Sequence, residues 1–288
     1  MINDASVDQA QRLRELMGKS VSNRKIISVA SGKGGVGKSS ITVNLAIALS
    51  SLGMRVLVVD ADFGLANVDV MLGINARYNM SHLIKGEKKL HEIIQEGHKG
   101  VRFISGGSGV FELLQMEETR LKAIMQGLIS LREPVDIILF DMGAGINENI
   151  LQLVLASSET IIVTTPEPTS ILDAYALIKT ILNRERTQSI RVIMNKCENK
   201  REAETVLKGF QEVVRRNLDT EIESLGYVLY DQEVTKSIKR QNPVMISNPD
   251  GSAASDITTI ARALLDLPSR TVGSSKLSRF FGRLLGEH

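Results

Sequence analysis

The sequence is poor in several residue types that mark particular classes of protein. Of its 288 residues one is cysteine, Cys197, none is tryptophan, and only 4% are aromatic. A single cysteine cannot form an internal disulfide or a CxxC site, which argues against a disulfide framework, an iron–sulfur role and a structural-zinc role. The formal net charge is +2, so bulk charge gives no support for nucleic-acid binding. No apolar run approaches the roughly 18 residues of a membrane span, and no signal-like start is present, so we expect a cytoplasmic chain.

What the sequence does contain is a regular alternation of apolar and amphipathic segments. Short β-branched runs occur at residues 25–31, 55–62, 101–105, 135–141, 160–167, 190–196 and 226–230, and amphipathic patterns at 39–51, 117–131, 171–183 and 201–217. Runs that are apolar on both faces are typical of strands in a parallel sheet that helices cover on both sides. The alternation predicts an α/β fold with a single doubly wound, mostly parallel sheet flanked by helices.

The two ends of the chain differ from this alternating core. Residues 19–24 (KSVSNR) form a linker behind an isolated N-terminal helical pattern, and residues 267–275 (LPSRTVGSS) form a second linker before a short C-terminal segment. We therefore divide the chain into an N-terminal helix with its linker at 1–24, a core domain at 25–266, and a linker with a terminal helix at 267–288.

A phosphate-binding loop follows the first predicted strand. Its residues Gly32, Lys33, Gly34, Gly35, Val36, Gly37, Lys38 and Ser39 match the pattern G-x-x-x-x-G-K-[ST], between a strand and a helix. Backbone N–H groups of such a loop converge on phosphate oxygens, and the helix N-terminus favours their negative charge. We expect Lys38 to neutralise the β- and γ-phosphates and Ser39 to bind Mg²⁺. Ser40 completes the predicted nucleotide-binding segment.

Lys33 is the unusual residue of this loop, because the pattern places no requirement on its position. From the motif alone it is either an unconstrained, solvated lysine or a functional group. The unit KGGVGKS resembles the deviant loop of the MinD/ParA family of P-loop ATPases. The resemblance implies a Mg²⁺-dependent ATPase that binds ATP and ADP, in which this lysine reaches the partner's nucleotide across an ATP-dependent homodimer. A lysine in trans would make dimerisation conditional on ATP and would neutralise charge during phosphoryl transfer.

Further motifs match that family in order and spacing. VVDADFGLANVDVMLG places Asp60 and Asp62 just beyond the second strand, IILFDMGAG ends a strand at Asp141, and IMNK places Asn195 at the end of a later strand. The resemblance assigns Asp62 to the attacking water, and Asp60 and Asp141 to the Mg²⁺ shell through water. It assigns Asn195 to the adenine edge. A helix N-cap remains the alternative for either of the first two aspartates taken alone.

The C-terminal segment KLSRFFGRLLGEH has an amphipathic pattern. Its apolar residues at helical spacing are Leu277, Phe280, Phe281, Leu284 and Leu285, and Arg279 and Arg283 flank them. A short basic amphipathic helix after a flexible linker is typical of an interfacial membrane anchor. Alternatively, it packs on the core or docks there in the resting state. One such anchor would bind a membrane weakly, whereas the two anchors of an ATP-bound dimer would bind together. The protein would then bind reversibly to the inner face of the cell membrane, and only in the ATP state.

The N-terminal segment SVDQAQRLRELM begins with a capping-box pattern and predicts a short helix. Such a helix is marginal alone, so it either folds on a partner or is a frayed tail. DQAQRLR resembles the DQAxxLR element of the flagellar-number regulators FlhG (also called YlxH or FleN), which are MinD-like ATPases. The resemblance implies that this helix stimulates the signal-recognition-type GTPase FlhF, with Gln9 nearest the GTPase's catalytic water. The partner-activating residues would be Asp8, Gln9, Ala10, Leu13 and Arg14.

Together these resemblances imply a membrane-cycling ATPase that regulates flagellar number and placement. Flagellar switch-complex (C-ring) proteins would be further partners, and no specific nucleic acid is expected. A division-site MinD would lack the DQAxxLR helix, and a DNA-partitioning ParA would show clustered basic residues instead of the anchor. An alternative of another class is a scaffold for flagellar basal-body assembly that uses nucleotide only as a structural ligand.

Overall fold

The computed structural model describes residues 24–62, 67–107, 124, 126–128, 131, 134–145 and 147–268. These ranges hold most of the predicted core domain. Two sets of predicted residues lie outside them: the partner-activating Asp8, Gln9, Ala10, Leu13 and Arg14, and the membrane-contacting Leu277, Arg279, Phe280, Phe281, Arg283, Leu284 and Leu285. Their roles, and the boundaries of the two appendages, stay predictions.

Eight strands form one sheet in the described part of the chain. They are β1 (Lys25–Ser31), β2 (Val56–Ala61), β3 (Gln95–Glu96), β4 (Arg102–Ile104), β5 (Ile137–Ala144), β6 (Glu159–Thr164), β7 (Ile190–Cys197) and β8 (Glu223–Leu229). Their order in the sheet is β3-β4-β2-β5-β1-β6-β7-β8. Every neighbouring pair is parallel except β3 and β4 at one edge. The predicted α/β class with a mostly parallel sheet is confirmed.

The helices of the described residues connect and cover these strands. They are α1 (Lys38–Ser51), α2 (Val68–Leu72), α3 (Met80–Ile84), α4 (Leu90–Ile93), α5 (Glu148–Ala156), α6 (Pro168–Arg184), α7 (Lys200–Leu218), α8 (Gln232–Lys239), α9 (Val244–Ser247) and α10 (Ser252–Leu264), with a 3₁₀ turn at His98–Gly100. The patterns at 39–51, 171–183 and 201–217 correspond to α1, α6 and α7. The pattern at 117–131 lies mostly outside the described residues. No helix in the described ranges is long and apolar enough to cross a bilayer.

Hydrophobic residues pack on both faces of the sheet. Along β2, Val56 and Val58 belong to one buried cluster, whereas Leu57 and Val59 belong to the other. This division follows from strand geometry, because successive side chains point to opposite faces. The first cluster includes residues of α1 and α10, and the second includes residues of α5, α6 and α7. A sheet covered on both sides is what the near-continuous apolar strands predicted.

Helix α1 is buried along most of its length, including Lys38 and residues 40–49. One side of it contacts the sheet and another contacts α10. Most of the enclosed residues are apolar, and the buried polar side chains of Thr42 and Asn44 donate to the carbonyls of Lys38 and Ser40 within the helix. Its first residue therefore holds a fixed position relative to the strands, and so does the loop that precedes it.

Strand β5 is longer than the sequence predicts. The strand was expected to end at Asp141, but it continues to Ala144, so that expectation was wrong. The extension pairs with both neighbours, since Met142 lies opposite Ala61 of β2 and Ala144 lies opposite Ser31 of β1. Gly143 lies inside this extension, and a glycine weakens a strand, but the pairing of Met142 and Ala144 with the neighbouring strands continues the ladder across it. Asp141 is therefore fixed inside the sheet.

We expect the core to be sensitive at Phe103, which lies in β4 with no exposed surface. Phe103→Ala should lower the free energy of unfolding by about 3–5 kcal/mol, because it removes a ring and leaves a cavity. Val213→Ala on α7, where the side chain is 46% exposed, should change it by less than about 0.5 kcal/mol. Urea unfolding of both variants measures the difference, and equal effects would contradict the described packing.

Candidate nucleotide-binding site

A cavity of about 480 Å³ lies at the carboxyl edge of the sheet, beside the ends of β1, β7 and β8. It is lined by the phosphate loop, by residues that follow β2, and by the segment after β8: Ser31, 34–41, Asp62, Asn67, Met71, Ala144, Asn195, Lys196, 228–231, Val234, Thr235, Ile238 and Ile257. Open α/β sheets bind ligands at this edge. The volume lies within the range of roughly 300–1,000 Å³ that is typical of small-molecule sites.

The phosphate loop joins β1 to α1 and presents its backbone to this cavity. Gly37 has a φ of 92°, a left-handed backbone that favours glycine. A Cβ on Gly37 would lie 2.4 Å from Nδ2 of Asn195, and a Cβ on Gly32 would lie 2.3 Å from the carbonyl oxygen of Asp173. Any side chain at either position would therefore displace a neighbour. The strand–loop–helix context that the motif requires is present.

Lys38 points inward at the start of α1. Its side chain is 6% exposed, and its ammonium donates to Oδ1 of Asp141 at 2.8 Å and to Oγ of Ser39 at 3.2 Å. The Thr42 hydroxyl donates to the same aspartate oxygen at 2.9 Å. A buried lysine is stable only when it is paired and hydrogen-bonded, and Asp141 meets both conditions. The pair places a positive charge where the phosphates of a nucleotide would lie.

Asp60 and Asp141 are two buried carboxylates on neighbouring strands. They are opposite each other in the β2–β5 pairing, and neither has exposed surface. Burial, and next the charge of Asp141, raise the pKa of Asp60 to about 7. Asp60 accepts backbone N–H groups from Asp62, Asn67 and Val68 at 3.0, 2.8 and 3.1 Å, which partly offset that rise. Two buried carboxyl groups therefore lie beside the single ammonium of Lys38, and ionising both of them is costly.

This arrangement fits a bound Mg²⁺ ion. Oδ2 of Asp141 is buried and has no hydrogen-bond partner among the described residues, although buried carboxylate oxygens are normally paired. The Ser39 hydroxyl lies at the same place, beside Lys38. No group of three or more Asp, Glu, His or Cys side chains arranged for a metal occurs in the described ranges. Ser39, with Asp141 and Asp60 through water, would therefore hold the ion together with phosphate oxygens, as Mg²⁺ is commonly held.

Asp62 lines the cavity directly after β2. Its Oδ1 is 3.5 Å from where a Cβ on Gly143 would lie, so the segments after β2 and within β5 meet here. Its backbone N–H is fixed by the buried Asp60 carboxylate. A carboxylate held at the cavity wall is suited to orienting a water molecule. The assignment of Asp62 to the attacking water stays a prediction.

Lys33 points away from this cavity. Its ammonium donates to Oγ1 of Thr169 at 2.9 Å and to Oε2 of Glu167 at 3.3 Å, both at the start of α6. The Ser31 hydroxyl donates to the Lys33 carbonyl at 3.1 Å and so fixes its backbone. The Lys33 side chain is 39% exposed, and the residue does not line the cavity. The two lysines of the loop thus face different surroundings.

Comparison with known proteins places this site in a family. Residues 22–265 match a ParA model described as a NUBPL iron-transfer P-loop NTPase. The chain belongs to the ParA family of P-loop NTPases. Members of this family are generally ATPases, and the family contains MinD, whose fold this chain shares.

Individual relatives in the ParA family refine this assignment. The antiactivator FleN of Pseudomonas aeruginosa is 34% identical over 91% of this chain and 93% of its own length. The flagellum site-determining protein YlxH of Helicobacter pylori is 33% identical over 96% of this chain and 98% of its own length. The structure of MinD complexed with Mg-ADP from Pyrococcus horikoshii is 25% identical, with a TM-score of 0.70 over 84% of this chain and 96% of that one. The predicted resemblance to FlhG-type (YlxH/FleN) proteins is confirmed.

The ParA-family description mentions iron transfer, but the cysteine of this chain has a different environment. Cys197 is buried at the end of β7, and burial raises the pKa of its thiol to about 12. A thiol that stays protonated at neutral pH is a poor metal ligand, because metal binding requires the thiolate. Cys197 therefore acts as a small core residue.

Asn195 makes a contact within the site that the sequence did not suggest. Its Nδ2 donates to the carbonyl of Val36 at 2.8 Å, and the residue is 8% exposed. The amide nitrogen thus holds the phosphate loop, while the residue also lines the cavity. Its contact with the adenine edge stays a prediction.

The apolar part of the cavity was not predicted from the sequence. It is formed by Leu229 at the end of β8 and by Tyr230, Val234 and Ile238 after it. Tyr230 is 61% exposed, although its backbone N–H is fixed to the carbonyl of Cys197 at 2.7 Å. One signal was available: GYVLY is a predicted strand, and residues directly after the strands of such a sheet line its ligand site.

We expect the Lys38–Asp141 pair to make the two residues interdependent. Lys38→Met should lower the free energy of unfolding by about 3–5 kcal/mol without nucleotide, because it leaves a buried carboxylate unpaired. The double variant Lys38→Met/Asp141→Leu should recover most of that loss, while neither variant should bind nucleotide. Urea unfolding of the nucleotide-free proteins tests this, and a double variant as unstable as Lys38→Met would contradict the pairing.

Proposed function

We propose that this chain is a Mg²⁺-dependent ATPase that dimerises on binding ATP and, as a dimer, holds the membrane and regulates flagellar number and placement. The observation that carries the proposal is the position of Lys33, a phosphate-loop lysine that faces away from the cavity of its own subunit. Such a lysine would be free to contact a phosphate of the nucleotide that is bound to a second subunit.

The contacts of Lys33 within its own subunit are weak enough to exchange. The ion pair with Glu167 joins side chains that are 39% and 66% exposed. Exposed pairs of this kind contribute about 0–1 kcal/mol, so a doubly charged phosphate in a water-excluded interface would compete well for the ammonium. The proposed dimer then forms only when that phosphate is present.

The cavity supports hydrolysis as well as binding. When bound, Mg²⁺ would neutralise charge on the phosphate oxygens, held by Ser39 and through water by Asp141 and Asp60. Lys38 would neutralise the phosphates of its own subunit, and Asp62 would orient the attacking water. Lys33 of the second subunit would add positive charge as the phosphoryl group leaves. Because this constellation is completed only in the dimer, slow turnover suited to a switch is expected.

The flagellar role rests on the relatives and on the N-terminal element. A FleN antiactivator and a flagellum site-determining YlxH match nearly the whole chain, and DQAQRLR resembles the element that stimulates FlhF-type GTPases. Septum site-determining MinD of Bacillus subtilis, at 28% identity, represents the division-site alternative. If the chain regulates flagellar number and placement, the C-ring proteins are further proposed partners. The basic C-terminal segment would place the dimer reversibly on the inner face of the membrane.

The first prediction from this proposal concerns dimerisation and lipid binding. With ATP, wild type should sediment as a dimer and with anionic liposomes, whereas with ADP it should do neither. Lys33→Ala should stay monomeric and unbound, because its ammonium is the link between the subunits. A chain ending at residue 274 should dimerise but leave the liposomes, which separates the two steps. Sedimentation velocity and liposome pelleting measure both.

Two controls make that experiment decisive. Lys88→Ala removes a lysine that pairs with Glu92 away from the loop, and it should behave as wild type. Asp62→Ala should dimerise with ATP, while its multiple-turnover phosphate release should fall at least about a hundredfold. A Lys33→Ala protein that dimerises like wild type would refute the trans lysine. Wild type without multiple turnover would favour the scaffold alternative.

The second prediction concerns the N-terminal element. Gln9→Ala in the full chain should reduce stimulation of an FlhF-type GTPase at least about tenfold, because a glutamine amide can orient an attacking water. Gln11→Ala is the matched control, since position 11 is variable in DQAxxLR, and it should keep full stimulation. GTP turnover measured with a fixed amount of GTPase tests this, and equal stimulation by both variants would remove the proposed role.

A further inference from the structure

The end of strand β7 has an unusual backbone at Lys196. Its φ is 58°, in the left-handed region that residues with a Cβ rarely adopt. The other described non-glycine residues with positive φ lie in turns or at helix ends, whereas Lys196 lies within a strand. The β7–β8 register also shifts between Met194 and Cys197. Strained backbone of this kind is found mainly where the surrounding structure uses it.

The consequence of this backbone is that the Lys196 side chain reaches the phosphate loop. Its ammonium donates to the carbonyl of Gly35 at 2.7 Å. A Cβ on Gly37 would lie 4.0 Å from Cε of Lys196, so the stem of the side chain also follows the loop. The preceding residue, Asn195, donates to the next carbonyl along, that of Val36, at 2.8 Å. Two consecutive residues of β7 thus hold two consecutive carbonyls of the loop.

Holding those carbonyls also sets the direction of the adjacent N–H groups. In a trans peptide the C=O of one residue and the N–H of the next point in opposite directions. Fixing the carbonyls of Gly35 and Val36 therefore turns the N–H groups of Val36 and Gly37 to the other side of the backbone. Phosphate oxygens bind to N–H groups of loops of this type.

We propose that Lys196 is a positioning residue for the nucleotide phosphates: its ammonium, together with the Asn195 amide, holds the loop carbonyls so that the loop N–H groups face the phosphates. The inference rests on the proposed function in so far as it takes a nucleotide to be the ligand of the cavity. It requires neither the dimer nor the membrane. Lys196 acts through the loop, so it should affect the phosphate end of the ligand and not the adenosine end.

The test compares ADP and adenosine as ligands. Lys196→Met keeps the stem and removes the ammonium, and it should weaken Mg-ADP binding about tenfold, the loss expected of one charge-assisted hydrogen bond. Its affinity for adenosine should stay within about twofold of wild type, because no adenosine contact is removed. Lys196→Gly relieves the left-handed strain, so it should weaken ADP binding equally without lowering the unfolding midpoint. Titration calorimetry and thermal unfolding supply the three readouts.

Lys200→Met is the matched control, since Lys200 is an exposed lysine near Lys196 that pairs with Glu204 on α7. It should bind both ligands as wild type does. The inference is overturned if Lys196→Met binds ADP as tightly as wild type. It is also overturned if the affinities of Lys196→Met for ADP and for adenosine fall by the same factor, which would show a general structural effect. If wild type itself fails to bind ADP, the proposed function falls, and the inference with it.

Discussion

The buried pair between Lys38 and Asp141 links the phosphate loop to the centre of the sheet. Lys38 begins α1 and Asp141 lies in β5, so one 2.8 Å contact sets the position of the loop relative to the strands. A second buried carboxyl group, that of Asp60, lies opposite Asp141, and burial together with the charge of Asp141 raises its pKa to about 7. One oxygen of Asp141 also lacks a partner among the described residues. A ligand that brings both a divalent cation and phosphate would satisfy all of these groups at once.

The topology separates this site from both ends of the described chain. The cavity lies at the carboxyl ends of the strands, whereas Arg24 precedes β1 and donates to the carbonyls of Leu131 and Val135 at the amino edge. Asp266 lies near Glu159, which begins β6 at that same edge. The two ends of the described chain, to which the proposed GTPase-activating and membrane segments are joined in sequence, therefore lie at the edge opposite the cavity.

The sequence predicted the sheet and the polar centre of the site because both depend on local patterns. Strands buried on both faces are apolar throughout, and the glycines, Lys38 and Asp60 stand at positions that their motifs define. The predicted end of β5 at Asp141 was wrong, because Met142 and Ala144 pair with the two neighbouring strands and so extend β5 beyond it. The apolar wall after β8 and the Lys196 contact were missed for a different reason. Each depends on β7 and β8 following β6 in the sheet on the side of the phosphate loop, and local sequence patterns do not define that order.

The contrast between the loop's two lysines follows from burial. Lys38 is 6% exposed and paired with a buried carboxylate, so removing its partner costs several kcal/mol and its position is effectively permanent. Lys33 is 39% exposed, and water screens its pair with Glu167, so its present contacts hold it only weakly. A switch needs one group that stays in place and another that can change partners at little cost. The loop contains one of each, five residues apart in the sequence, and the proposed ATP-dependent dimer would use this difference.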